Sequence, residues 1–497
     1  MKSKYADDRC LDITAYLGPR RAGKNFYNGV YGAYPLDPEE GYPSFITDEV
    51  FQLYKEAGFN FLMPEGDAFY GQRLTKDGFV EEPDFEKSDL YHYMQVAERN
   101  GLGVYPTSEE LAGQICRTEG EIGSKEKAHI RDMIATIQRY FPKTFWGLMV
   151  TDEPAYQHMG RVKSVMDYLR SEEIRAIKPE LQIFASMLPM YGALVTLGPD
   201  AQDSSTQSIN EAIQKRKAAY EHYLNVCADA MGEFSFDFYA LIYESQISPW
   251  YYTNLELAAK KCKKDDIPLA VTLQSFRLDD KANEKTGRGR VVYRTPNYLE
   301  MRWQVYSALA FGASRLGYYT FWPHYSMSSG MRQPNAMLVY EPSADCGYRT
   351  TEIYDAVKKV HMEILQYDHV FLRFKWQGAN VIRKSLERNI RNVAADYEGS
   401  SLVSFTASRD MLVGCMLNPE NGEEGFWIVN ADNPFHFQVN DTELFFKGAK
   451  TITYYRAGKE YEEKLEQVIR DGEVCGKWKV RLGTGEGIFV IPEVEAR

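Results

Sequence analysis

The sequence predicts a (β/α)8 TIM barrel followed by a C-terminal antiparallel β-sandwich, and three observations carry that prediction. From Asp12 to about Tyr367, short apolar runs alternate with amphipathic segments, the pattern of parallel strands joined by crossover helices. One run, FWGLMVTDEP at 145–154, stops at two adjacent carboxylates and a proline, as a buried strand does when its carboxyl end emerges at a barrel mouth. After about Leu372 the helical period gives way to short alternating runs separated by turn residues. At 497 residues the chain has room for both parts, divided as a barrel over 1–372 and a sandwich over 373–497.

Eight strand and helix pairs are expected. Strand one falls near 13–18. Its helix follows Thr47, a good N-cap, with Val50, Leu53, Tyr54 and Ala57 on one face and Gly58 as its stop. Strand two is 59–64; the next helix, 89–100, ends at Gly101 and leads into strand three at 102–106. Ile130, Met133, Ile134 and Ile137 recur at helical spacing and stop at Pro142, so a third helix precedes strand four. A fourth helix is expected over 154–177, strand five over 182–187, a fifth helix over 209–229 and strand six over 234–243.

A helix rich in Ala and Lys leads to strand seven at 268–276. The polar, glycine-containing stretch 277–295 then reads as a mobile loop able to act as a lid. Helix seven sets Leu299, Trp303, Tyr306 and Leu309 on one stripe with Gly312 past its end, and strand eight is 315–322. The connection 323–350 is long for a compact domain and is expected to build part of the mouth. Helix eight shows Tyr354, Val357, Val360, His361, Ile364 and Leu365. Beyond it, strands are expected at 402–406, 411–417, 425–430, 435–439, 451–455 and 478–482. The last of these and 488–491 read as a hairpin around GTGEG.

Composition narrows the partners. With 58 Lys and Arg against 70 Asp and Glu, the net charge of -12 disfavours nucleic acid and anionic membrane, and a neutral partner fits better. Aromatic residues make up 14%, including 35 tyrosines, which suit both sandwich cores and surfaces that stack on sugar rings. The N-terminal MKSKYADDRC has no apolar core of a signal peptide, and no run approaches the roughly 20 residues of a membrane span, so a cytoplasmic chain is expected. Seven scattered cysteines without a Cys-x-x-Cys pair read as reduced thiols. The eight histidines show no metal-binding spacing, and GTGEG opens no helix, so neither a metal nor another cofactor is expected. Nothing in the sequence sets the oligomeric state.

Glu153 is the candidate proton donor, because a carboxyl in a cleft beside a like charge, here Asp152, has its pKa raised toward working pH. The competing use of both acids is to cap a helix that starts at Pro154. The surrounding motifs resemble the clan A glycoside hydrolases, and more closely the bacterial barrels related to the family 42 β-galactosidases, whose fourth strand ends in Asp-Glu-Pro. FDFYAL (236–241) resembles their sixth strand, YSALAFGASRLGYYTFW (306–322) their last helix and strand, and TTEIYDAVKKVHMEIL (350–365) their closing helix. The sandwich ending in GEGIFVIP suits the same architecture.

The resemblance implies a carbohydrate substrate, Glu153 as the acid/base residue and Trp322 as an aromatic platform at the end of strand eight. It also implies a nucleophilic glutamate at the end of strand seven, where VTLQSF instead places Gln274, and an amide cannot form a glycosyl-enzyme ester. Other acids are within reach: Asp237 and Glu244 on or just past strand six, Glu65 after strand two, Asp279 and Asp280 after strand seven. Asp237 is the first choice for the second carboxylate because it shares a strand face with Tyr239 and Leu241; the alternative is a buried acid satisfied by neighbouring donors. Glu244 is the second choice, against a plain place on the rim. Asp152, Glu65, Tyr239, Tyr243 and Gln274 are candidate contacts to sugar, with Trp322 stacking and His324 nearby. Two readings follow: a glycoside hydrolase working through Glu153, or a catalytically inactive carbohydrate-binding or scaffold protein that lacks the strand-seven nucleophile.

Overall fold

The computed structural model describes residues 9–20, 44–64, 68–75, 78–192, 197, 209–228, 232–280, 290–323, 331–341, 344–386, 388–394, 397–398, 400–470 and 472–494. Eight short parallel strands fall where the apolar runs predict them. Strand one is Asp12–Ala15, strand four Gly147–Asp152, strand five Gln182–Met187, strand six Phe234–Phe238, strand seven Leu269–Gln274 and strand eight Ala313–Tyr319. These six form one curled parallel sheet in the order one, eight, seven, six, five, four. Strands two (Phe61–Leu62) and three (Gly103–Val104) pair with each other in a second parallel sheet. Backbone bonds run from Asn60 N–H to the Ile13 carbonyl at 3.0 Å and from Trp146 N–H to the Val104 carbonyl at 3.1 Å, beside both ends of that pair.

Alternation along the strands sorts their side chains into two cores. Ile13, Leu148, Val150, Val271, Leu273 and Leu316 join the large cluster beneath the helices, whereas Tyr16, Phe61, Met63, Tyr105, Met149 and Phe184 form a second cluster on the other side. At the amino ends of the strands sits Arg315, only 7% exposed. It bonds Asp12 Oδ2 at 3.0 Å, Glu233 Oε1 at 3.0 Å, Gln182 Oε1 at 3.1 Å and the Tyr105 hydroxyl at 3.3 Å, and its guanidinium lies over the Phe61 ring. One side chain thereby ties strand eight to strands one and five and to the residues beside strands three and six.

The helices follow their capping signals. Thr47, Ser88 and Asn297 each accept first-turn N–H groups, and Gly101 and Gly312 take positive φ at the ends of theirs. The expected single helix over 154–177 is instead a short 3-10 turn, Tyr156–His158, and two helices, Met159–Leu169 and Glu172–Ile177. Ser171 caps the last of them and so begins a new helix. Tyr298–Ala310 is buried nearly all round, not along one stripe, because the C-terminal sheets cover its outer side. Among the described residues no helix is long and apolar enough to cross a membrane.

From Lys375–Ile382 onward the chain is antiparallel, in one sheet of six strands and one of four. Leu402, Val413, Phe426, Leu444, Ile452, Trp478 and Ile488 form the core between them. Two expectations are corrected. Residues 435–439 do not form a strand: Pro434–His436 is a 3-10 turn, Phe437 takes a left-handed φ of 55, and the strand starts at Asn440. The terminal hairpin is also absent, since Glu473–Leu482 lies in the four-stranded sheet while Gly487–Val494 pairs with Glu424–Asn430 and Ala449–Arg456 in the other. The GTGEG connector crosses between sheets and is held by the Glu486–Arg456 ion pair at 2.8 Å.

Where the six-stranded sheet meets the helix Tyr298–Ala310, Gly414 lets the backbones touch. A Cβ there would overlap the Ala310 carbonyl. Gly414→Ala is therefore expected to destabilise the protein by about 1–3 kcal/mol, read as a lower denaturant midpoint, because neither backbone has room to retreat.

Candidate active site

Strand four ends in a local distortion. Asp152 pairs in register with Ser186 of strand five; Glu153 then turns into the left-handed region at φ 45 while its N–H bonds the Ser186 carbonyl at 2.8 Å. A non-glycine residue pays for that backbone, and such strain concentrates where a side chain must be aimed. The conformation is pinned from behind by Tyr223, fully buried, whose hydroxyl donates to the Pro154 carbonyl at 2.7 Å and accepts the Leu188 N–H at 3.2 Å. No helix starts at Pro154, and the next turn, Tyr156–His158, follows Ala155, so Asp152 and Glu153 cap no helix.

Asp237, near the end of strand six, is 6% exposed, and its charge acts on the Glu153 carboxyl. Tyr191 donates to its Oδ2 at 3.5 Å, and the Tyr239 hydroxyl steadies its charged form. Burial and then the charge of Asp237 push the Glu153 pKa well above the carboxylate range, with Arg117 opposing. Burial and then Asp152 also raise Asp237, while the hydrogen bonds from Glu153 and Tyr239 hold it back. Burial, followed by the charge of Glu153, brings Asp152 up to about 7. Neighbouring buried carboxyls cannot both ionise cheaply, and the upward shift of Glu153 beside the charge of Asp237 favours a protonated Glu153.

A wall of rings encloses this cluster. Tyr239 packs on Phe276 at 4.9 Å, Tyr319 at 5.5 Å and Tyr293 at 5.7 Å between ring centroids, and Tyr16 bridges Tyr319 and Phe184 beneath. Tyr293 belongs to the stretch expected to form a lid. Its flanks, Arg277–Asp279 and Val291–Tyr293, pair antiparallel, and Arg332–Asn335 from the long strand-eight connection joins the same small sheet; 281–289 lie outside the described residues.

Other sequence candidates fall elsewhere. Gln274 is completely buried and its amide is spent on backbone: Oε1 accepts the Leu241 N–H at 2.8 Å, and Nε2 donates to the carbonyls of Arg294 at 2.9 Å, Leu241 at 3.1 Å and Phe276 at 3.4 Å. It braces the loops after strands six and seven and offers no group to a sugar. Gln274→Glu should therefore destabilise the protein without adding turnover, since a carboxylate oxygen would face three carbonyls with no donor, at about 1–3 kcal/mol for each unmade bond; thermal unfolding and activity assays check both halves. Trp322 is also wholly enclosed, stacked on Phe45 at 4.5 Å, so its ring presents no face at the mouth.

Tyr243 and Glu244, the latter exposed with φ 53, line a separate rim cavity of about 620 Å³ with Arg277, Arg290 and Arg294. Asp279 pairs with Arg277 at 2.8 Å, and Asp280 N–H bonds the Arg290 carbonyl. Glu65 and His324 lie outside the described residues. Sequence reading missed Arg117, Tyr191, Tyr293 and Tyr319. Tyr191 and Tyr319 lie at or just past strand carboxyl ends and were findable by that rule; Arg117 and Tyr293 come from loops that carry no local signal. Among the described residues no group of three or more His, Cys, Asp or Glu could hold a metal ion.

No protein-family model matches the chain, and no curated protein matches it in sequence. Its backbone is similar to those of several solved glycosidases. A family 5 glycoside hydrolase from Bacteroides vulgatus aligns over 99% of this chain and 90% of its own at 9% identity, with a TM-score of 0.47. The α-L-arabinofuranosidase of Thermotoga maritima aligns over 98% and 97% at 11% identity and 0.41, and a family 30 subfamily 8 xylanase of Clostridium acetobutylicum over 98% and 97% at 10% identity and 0.39. At these identities and scores the neighbours assign no activity to this chain.

Proposed function

We propose that the protein is a glycoside hydrolase built on a closed (β/α)8 barrel, with the antiparallel domain beginning near residue 373. The Asn60–Ile13 and Trp146–Val104 backbone bonds support closure through strands two and three. The observation that carries the functional reading is the placement of two buried acids, Glu153 and Asp237, at the carboxyl ends of strands four and six, each raised by burial and then by a neighbouring acid. Glu153 is the acid that protonates the glycosidic oxygen. Asp237 is the second carboxylate, steadied by Tyr191 and Tyr239, and Asp152 adds the charge that favours an oxocarbenium-like transition state.

Catalytic carboxyl pairs stand about 5–5.5 Å apart in retaining enzymes and about 6.5–9.5 Å in inverting ones. Substrate binding between Glu153 and Asp237 would have to hold them at one of these spacings. Family 42-like chemistry through a strand-seven nucleophile has no residue to perform it, because Gln274 is a brace. A panel of aryl glycosides assayed against pH tests the proposal. Turnover should rise as the second carboxylate ionises and fall as Glu153 loses its proton at higher pH than an ordinary carboxyl would.

One observation favours a second reading, a carbohydrate-binding protein without turnover: Gln274 stands where a nucleophile would stand. Saturable sugar binding with no hydrolysis across that panel and pH range would decide for it.

A further inference from the structure

Beside the mouth, and apart from the three acids, a second constellation has the connectivity of a nucleophile with its base. Ser108 lies just past strand three, and its Oγ is 2.9 Å from His129 Nε2; His129 Nδ1 is 3.2 Å from Glu110 Oε2. The ionised Glu110 carboxylate can only accept, so Nδ1 carries the imidazole proton and Nε2 is left with its lone pair toward the serine hydroxyl. That is the tautomer a general base needs. Oγ also accepts the Leu111 N–H at 3.0 Å, and Ser108 is 1% exposed, so a reactant reaches it only through the cavity it lines. The local cap is satisfied by Leu111 alone, so it does not require the histidine.

The three residues line one cavity of about 440 Å³, closed on its apolar side by Tyr70 and Phe85 and supplied with an amide donor by Gln114. Glu81, Glu82, Glu109 and Glu110 on the same wall repel anionic ligands.

We propose that Ser108, His129 and Glu110 form a second catalytic centre, a serine esterase for short acyl esters of neutral alcohols. Ser108 Oγ attacks the ester carbonyl carbon as its proton passes to His129 Nε2. The tetrahedral intermediate collapses, the acyl C–O bond breaks, and the departing alcohol takes that proton. Water then attacks the acyl-serine, giving one proton to His129; the acid leaves and the proton returns to Oγ. Gln114 donates to the developing oxyanion, and Glu110 orients the imidazole as a positioning residue.

The test is to treat the intact chain with a fluorophosphonate and map the adduct by peptide mass, alongside hydrolysis of p-nitrophenyl acetate. A single adduct on Ser108 is expected, with the hydrolysis rate reduced roughly 100-fold in Ser108→Ala and His129→Gln. Glu110→Gln, at an exposed position, should fold normally and shift the pH profile of acetate hydrolysis. An unlabelled Ser108 in the folded wild-type chain, or a Ser108→Ala protein that cleaves the acetate as fast as wild type, overturns the proposal.

Discussion

Glu153→Gln is expected to lower turnover of a hydrolysed glycoside by about 10²–10⁴-fold while the fold persists. The amide keeps the size and the hydrogen-bond reach of the carboxyl but has no proton to give the leaving oxygen. Substrate affinity should change far less, because the tyrosine wall around Asp237 is untouched. The same substitution has a signature in stability. Raised pKa values for Asp152 and Glu153 mean that the folded chain keeps protons which the unfolded chain releases above about pH 4–5. The native state therefore binds more protons in that window, and stability declines as pH rises through it, for Asp152 between the ordinary 3.8 and about 7. Glu153→Gln removes one such group, so its denaturant midpoint should fall less than that of wild type from about pH 5 to about pH 8. A variant with full turnover, or with wild-type pH sensitivity, would be inconsistent with the proton held at Glu153.

Arg315→Ala should be among the most destabilising single changes, at about 3–5 kcal/mol. The cost is less the loss of two ion pairs than the carboxylates left behind. Glu233 is already raised by burial, and Arg315 is the charge that opposes that shift. Without it, Asp12 and Glu233 lose their Arg315 ion pairs near the amino ends of the strands, and the Gln182 and Tyr105 groups lose their shared donor. The sign with pH follows: protonation relieves the unpaired acids, so the gap between variant and wild type should narrow as pH falls toward the carboxylate range. Denaturant unfolding at several pH values reads this directly. A gap that widens on acidification would mean that the cluster is not what Arg315 stabilises.

The order of strands and helices was legible because burial on both faces leaves near-continuous apolar runs and because caps are local. Strand five begins and ends where the apolar run does. The place of Asp237 in strand six was legible as well, from the run that forms that strand. Features set by distant partners were not. No local pattern tells that Gln274 will spend its amide on Leu241, Phe276 and Arg294, or that Phe45 will cover Trp322. The terminal hairpin failed for the same reason, since turn residues mark a change of direction but not which sheet the chain enters. Arg315 did leave a trace, a lone cation inside an apolar strand, yet its partners come from five separate stretches of chain.

The most direct test of the account is a titration of the Glu153 carboxyl by carbon-13 NMR, with Glu153→Gln to assign the signal. Glu153 is expected to remain protonated through neutrality and to titrate together with Asp237. A Glu153 carboxyl that ionises in the ordinary range, near pH 4–5 and independently of Asp237, would contradict it.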